Sequence, residues 1–424
     1  MQIADRIAPL QTNVFADMDS AKAEAIASGK PIIDLSLGSS DLPTPPHVLE
    51  AISTALKDPD TYGYTLFNST RDFRVAAAHW YERKFGIAVD PDLEVLPLIG
   101  SQEGTAHLPL AVLNPGDVAL LQDPGYPSHA GGVYLAGGTI HTMPLTADNN
   151  FLPVLSDIPE AVLTKARMMV LSYPHNPTTA VAPLSFFKQA VAFCQLNNIV
   201  LVHDFPYGDL TFDGELASSV LQADLDRAVS IEFFSLSKSY NMGGFRVGYA
   251  IGNARLIKAL RQVKATVDFN QYRGILRGAI AALSGPQDCV THMVKTFAGR
   301  RNAAVTALNA IGWSVAPPDA TMYIWAKLPH TLPHQWADNS MDFCRALVAE
   351  TGVALAPGRG FGPSGEGYVR FALVREPNVI SKAIGKIGEF VSNQTPLLQK
   401  IDAQAGAIAS DELSIGPELI SSEA

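Results

Sequence analysis

The sequence predicts an α/β fold: a large unit built on a mostly parallel sheet sandwiched by helices, followed by a smaller α+β unit. Three observations carry this. Short apolar runs alternate with longer amphipathic ones through the middle of the chain. Several runs are continuous, such as MMVLSY and NIVLVH, as strands buried on both faces require. The 424 residues also exceed what one core ordinarily organises.

The strands are expected at Val95–Ile99, Val118–Gln122, Thr139–Met143, Met168–Tyr173, Ile199–His203, Val229–Phe234 and Arg246–Ile251. Helices are expected between them, at Ser101–Leu113 and Pro183–Leu196, where apolar residues recur at helical spacing. After about Asn253 helical patterns dominate to Ala310. Strands near Tyr323–Ala326 and Tyr368–Ala372 then flank a helix at Met341–Thr351. The expected division is an N-terminal arm (1–47), a large domain (48–300), a small domain (301–395) and an acidic tail (396–424). The tail carries Asp402, Asp411, Glu412, Glu418 and Glu423 against a single lysine, so loose order is expected there.

Composition excludes several classes. A net charge of −10 without a basic block argues against nucleic acid or an anionic membrane as partner. Cys194, Cys289 and Cys344 lie far apart with no CxxC, which suits a reducing compartment. The first residues have no apolar signal region, and no run is long enough to span a membrane. A cytoplasmic protein is expected. No metal site is expected: His330 and His334 are four apart, but Pro329 and Pro333 spoil the helix that would align them. A nicotinamide site fails on spacing, because Gly358-Arg359-Gly360-Phe361-Gly362-Pro363 lacks the last glycine of GxGxxG.

Four segments can carry chemistry. In SIEFFSLSKSYNMGGFRVGYAIG, Ser235, Ser237, Lys238 and Arg246 crowd a short loop between apolar strands. Hydroxyls with an arginine suit a phosphate, and a neighbouring lysine suits Schiff-base chemistry with an aldehyde. In NIVLVHDFPYGDLTFDG, Asp204 ends a buried strand and Tyr207 follows; ligands of open α/β sheets bind at such carboxyl ends. In LSYPHNPTTA, a strand ends near Asn176. In LIGSQEGTAHLPLAVLNPGD, Ser101 and Gln102 open a helix whose N-terminal N–H groups make a phosphate seat. Arg370, central in an apolar strand, needs a buried anionic partner. Each has an ordinary explanation alone: a surface lysine, a turn-capping aspartate, a turn asparagine, a helix cap.

Taken in order, Asn176, Asp204-x-x-Tyr207, Ser235-x-Ser237-Lys238, Gly244-x-Arg246-x-Gly248 and Arg370 resemble the fold-type I, class I/II aminotransferases, enzymes of pyridoxal 5'-phosphate. The resemblance spans roughly residues 30–395. It implies Lys238 as the covalent anchor and proton carrier, Asp204 on the pyridine nitrogen, and Tyr207 and Asn176 at the 3' oxygen. Tyr126 would stack on the ring. Ser101, Gln102, Ser235, Ser237 and Arg246 would hold the phosphate. Tyr64 would reach the phosphate of a neighbouring subunit, implying a homodimer with shared sites. Arg370, helped by the Gly38 backbone and Asn176, would clamp the substrate α-carboxylate. The partners implied are an L-amino acid and a 2-oxo acid.

Within the family, GSQEGTAHLPLAVLNPGD and SIEFFSLSKSYNMGGFRVGYAIGN resemble the LL-diaminopimelate aminotransferase group. That implies LL-diaminopimelate and 2-oxoglutarate, with alanine, aspartate, glutamate or aromatic donors as alternatives. Another reaction of the same cofactor, or a non-catalytic ligand sensor, are the alternatives of other classes. Three departures stand out: SYPHNPTTA in place of NYPNNPTGA, Pro206 in place of a small residue, and Asp268-Phe269-Asn270-Gln271-Tyr272 in place of DSGVF.

Overall fold

A computed structural model describes residues 1–412 apart from 2, 11–13, 215, 330, 331, 333–335 and 337. The arm forms helix α1 (Val14–Ala27) and strand β1 (Ile33–Asp34). The large sheet contains β2 (Val95–Leu98), β3 (Val118–Asp123), β4 (Thr139–Pro144), β5 (Ala166–Ser172), β6 (Val200–Asp204), β7 (Ser230–Ser235) and β8 (Gly248–Gly252). Their order is β2-β8-β7-β6-β5-β3-β4, and only β8 runs antiparallel to its neighbours. The mostly parallel expectation therefore holds, and every expected strand of this sheet appears within about two residues. β3 and β7 are buried along their whole length, as helices on both faces demand. β4 is one of the two edge strands and is largely exposed.

One apolar layer packs Phe73, Trp80, Phe187, Phe205, Phe234 and Tyr249 under one face of the sheet. The other gathers Leu108, Val170, Val202, Ile231 and Phe233 beneath the helix Ser101–Val112 and its neighbours. The helical stretch predicted after Asn253 resolves into Ala254–Val267, Arg273–Ser284 and Asp288–Ala310. The last helix crosses position 300. Its Met293, Phe297, Ala304 and Leu308 all join a second core with β9 (Tyr323–Lys327), Ser340–Thr351, β10 (Val353–Ala354), β11 (Ala356–Pro357) and β12 (Tyr368–Ala372). Met18, Ala25 and Leu35 of the arm join that core, and β1 pairs with β10.

The helix that starts at Pro377 continues to Glu412. Residues 413–424 lie outside the described residues, as do His330 and His334. No helix among the described residues is long and apolar enough to cross a membrane.

Candidate active site

The carboxyl ends of β5, β6 and β7 open into a cavity of about 560 Å³ between the large sheet and the second core. Parallel strands end on one side, so Ser172, Asp204 and Ser235 arrive together although they lie far apart in sequence. The walls hold Gly38, Ser101, Gln102, Tyr126, Asn176, Asp204, Tyr207, Ser235, Ser237, Lys238, Arg246 and Arg370. Tyr64, by contrast, lies outside it and is 89% exposed on the surface.

One end of the cavity suits a phosphate. Ser101 and Gln102 open their helix, where the first N–H groups have no intrahelical partner. Gly100 precedes them at φ 79°, and a Cβ there would stand 2.8 Å from the Arg246 guanidinium. Only glycine permits that approach of cation to helix end. Ser235 Oγ caps the short turn Leu236–Ser239 by accepting from Ser237 N at 3.2 Å. Arg246 differs from its expected place at the start of a strand. It sits before β8 in left-handed backbone, φ 51°, where its side chain turns to the cavity.

The floor carries a buried carboxylate. Asp204 Oδ2 is paired with His129 Nε2 at 3.0 Å, while Asp204 Oδ1 is buried with no protein partner. An orphaned carboxylate oxygen calls for a donor. A protonated pyridine nitrogen is such a donor, and the hydroxyls, helix end and Arg246 match a phosphate dianion. The residues present thus fit pyridoxal phosphate.

Lys238 lies between. Its Nζ donates to the Gly38 carbonyl at 2.5 Å and stands 5.8 Å from the Tyr207 ring centre. Burial lowers its pKa, and Arg370 and Arg246 push it further down against a raising effect of Tyr323. A lysine so shifted holds more of its amine free for nucleophilic and base chemistry.

The opposite wall is built by the small unit. Arg370 on β12 pairs with Trp325 in register, which puts Tyr323, two residues earlier on β9, on the same face. The guanidinium is sandwiched 4.2 Å from the Tyr323 ring centre and 4.7 Å from that of Phe361. It donates to Asn176 Oδ1 at 2.7 Å and to Ser36 O at 2.8 Å, and its Nε has no partner. With Asn176's carbonyl taken, its NH₂ is left to face an oxygen. A planar, stacked fork with unspent donors is built for a carboxylate.

Tyr323 is the residue that sequence reasoning missed. Its hydroxyl meets that of Tyr207 at 2.8 Å. Burial would raise its pKa, but Arg370 and Lys238 outweigh this and lower it. Burial and Tyr323 push the pKa of Tyr207 well up. A Cβ on Gly38 would lie 1.9 Å from the Tyr323 hydroxyl, so the arm must carry glycine there. His129 and Phe361 were also missed. Nothing local marks them; only the sheet's stacking and the 358–361 turn bring them in.

Behind the helix Ser101–Val112, Glu103, His107 and Asp268 cluster within 4.8 Å. The ammonium of buried Lys264 sits among them, 2.7 Å from Glu103 and 3.4 Å from Asp268. This is an ion pair under the helix that carries Ser101, holding it against the next helix.

An α/β sheet with a lysine, an orphaned aspartate and a phosphate seat at its carboxyl edge defines a pyridoxal-phosphate enzyme of the aminotransferase type. Comparison with known proteins agrees. Residues 30–387 match the family described as aminotransferase class I and II. An LL-diaminopimelate aminotransferase of Dehalococcoides mccartyi is 43% identical over 392 residues, 92% of this chain and the whole of that protein. The structure of a probable N-succinyldiaminopimelate aminotransferase from Thermus thermophilus superimposes with a TM-score of 0.84. It is 42% identical and covers 89% of this chain and 99% of its own. Substrate-bound BacF from Bacillus subtilis matches at TM-score 0.87 and 33% identity, over 92% of this chain and 98% of its own. The chain belongs to the class I and II aminotransferase family. It is a pyridoxal-phosphate-dependent aminotransferase.

Proposed function

We propose that the enzyme moves the amino group of LL-diaminopimelate to 2-oxoglutarate. The observation that carries this is the 43% identity, over 92% of this chain, with a relative named for LL-diaminopimelate. The Thermus structure favours a second reading, in which the far amine of the substrate is succinylated.

The geometry supports a division of labour. Pyridoxal phosphate, when bound, supplies an aldehyde that takes up the substrate amine and a ring that withdraws electrons from Cα. Arg370 holds the substrate α-carboxylate through its unspent N–H groups, steadied by Asn176, Ser36 and the two flanking rings. Fixing that carboxylate orients the Cα hydrogen towards Lys238. Lys238, with its lowered pKa, takes the Cα proton. Asp204, oriented by His129, would accept from the pyridine nitrogen of the bound cofactor. Ser101, Gln102, Ser235, Ser237 and Arg246 would hold its phosphate. Tyr207 and Asn176 would serve its 3' oxygen, and Tyr126 would cover its ring.

Exposed Tyr64, with Tyr62 and Leu66 exposed beside it, fits a homodimer in which this tyrosine completes the neighbouring site. The three unbridged cysteines suit a cytoplasmic enzyme. The arm, which shares the second core through Met18, Ala25 and Leu35, would then close on substrate together with the small unit.

The test is the half-reaction. Purified enzyme with its cofactor is mixed singly with LL-diaminopimelate, N-succinyl-LL-diaminopimelate, L-glutamate, L-alanine, L-aspartate and L-phenylalanine. Rapid loss of the cofactor's visible band with LL-diaminopimelate and glutamate is the expected result. Loss with other donors only would discard that substrate and keep the aminotransferase.

A further inference from the structure

We infer that the arm helix α1 reads the far end of the substrate, with Asp19 receiving an ammonium and Lys22 a carboxylate. This rests on the proposed diamino-dicarboxylate substrate. The cavity that holds Lys238 and Arg370 extends to Met18, Asp19 and Lys22 on one face of α1. Its charged wall residues are six: Asp204, Lys238, Arg246, Arg370, Asp19 and Lys22. The first four have work at the reacting end. A substrate with a second charged head needs partners elsewhere, and among the described wall residues this pair supplies them.

The pair is placed for that task. Lys22 Nζ lies 2.7 Å from Asp19 and 3.0 Å from Asp34. Asp34 Oδ1 accepts from Ser36 N at 2.8 Å and Ser36 Oγ at 2.6 Å, and the Ser36 carbonyl accepts from Arg370. One hydrogen-bonded chain therefore sets Lys22 relative to the residue that holds the α-carboxylate. The two α-carbons of diaminopimelate are four C–C bonds of about 1.5 Å apart, and Arg370 and Lys22 line the same cavity. Asp19 is 72% exposed, so its carboxylate can swing from Lys22 to a ligand, whereas Lys22 is 17% exposed and stays held by Asp34.

Charge decides between substrates. Asp19 and Asp34 against Lys22 leave this end with one net negative charge. An ammonium beside a carboxylate is welcome there, and a lone carboxylate, as on glutamate, less so. Reversing the exposed charge should move two substrates in opposite directions.

The experiment uses holoenzyme and its Asp19→Lys and Asp19→Asn variants. The half-reaction is timed with LL-diaminopimelate and with L-glutamate, and glutarate binding is titrated by the cofactor's absorbance. Surface ion pairs are individually weak. Opposite shifts on two substrates nevertheless compound to roughly tenfold in the rate ratio, which is about 1.4 kcal/mol. The expected result for Asp19→Lys is slower LL-diaminopimelate, faster glutamate, tighter glutarate, and a smaller change at high salt. Asp19→Asn should shift each in the same sense by less. An unchanged ratio, or one common factor for both substrates, overturns the inference while leaving the proposed substrate intact. If wild-type enzyme reacts with glutamate but not LL-diaminopimelate, the substrate reading fails. The inference falls with it, because Asp19 then has no far ammonium to receive.

Discussion

Replacing Arg370 with alanine removes a buried guanidinium that spends two donors on Asn176 and Ser36 and keeps Nε without a partner. The substrate carboxylate would receive at least two charge-assisted hydrogen bonds, each worth about 1.5–3 kcal/mol. Neighbouring water recovers part of that in the vacated space. A net loss of about 3–4 kcal/mol is expected, or two to three decades in kcat/KM at about 1.4 kcal/mol per decade. The loss should fall mainly on KM, because the clamp holds the carboxylate before and during proton transfer. The discriminating assay compares L-alanine with ethylamine, which presents an amine without a carboxylate. The wild-type rate ratio of alanine to ethylamine should collapse by 10²–10³ in Arg370→Ala (about 3–4 kcal/mol). Arg370→Lys should fall between, since it restores charge but neither the fork nor the stacking. The variant also leaves Asn176 Oδ1 and Ser36 O without donors, about 1–3 kcal/mol each, so its melting temperature is measured alongside. Equal slowing of both amines, or an unchanged ratio, would refute the clamp and leave Arg370 as a packing residue.

Lys238→Ala should lose both the covalently held cofactor's visible band and multiple turnover; sustained turnover would contradict its assignment. Tyr323→Phe keeps the ring beneath Arg370 but deletes the 2.8 Å bond to Tyr207. Its kcat–pH profile should shift while KM for L-alanine changes less than about threefold (below 1 kcal/mol); an unmoved profile argues against the Tyr207 link. Gly38→Ala drives a methyl to 1.9 Å from the Tyr323 hydroxyl. Overpacking of this kind costs about 1–3 kcal/mol, so a lower melting temperature and reduced kcat are expected, and wild-type values for both would count against the geometry. His175 is fully buried, and burial, then His129, lowers its pKa to about 3. A depressed pKa gives stability that is complete above the unfolded value near 6.5 and is lost as pH falls towards 3. His175→Asn should therefore flatten the acid limb of urea stability between those pH values, by an effect on the order of a few kcal/mol; identical limbs would refute it.

The strands and their ends were legible because parallel strands covered on both faces read as unbroken apolar runs, and strand ends are where a chain must turn. Asp204, Asn176 and the Ser235–Lys238 segment were legible for the same reason: each is a polar group placed where an apolar run stops. Their joint assignment needed the ordered motif, since any one of them has a bland local explanation. Boundaries were less legible. Arg246 was read into a strand because apolar residues follow it, yet its left-handed backbone sets it before β8 and turns it to the cavity. The helix that crosses position 300 shows no break in sequence, because one helix face can serve a second core without changing its period.

Local pattern by itself determined the fold class and the order of the sheet-forming segments, because burial and helix spacing act within a few residues, while the candidate cofactor residues were picked out by the ordered motif. Tertiary structure alone decided the substrate wall. Tyr323 and Phe361 sandwich Arg370, Gly38 admits the Tyr323 hydroxyl, and α1 brings Asp19 and Lys22 to the far end of the cavity. The arm's contacts join segments hundreds of residues apart, and Tyr323 and Phe361 reach Arg370 across a strand pair and a turn. They follow from how the arm and the second core pack over the sheet, and no spacing within the chain encodes that.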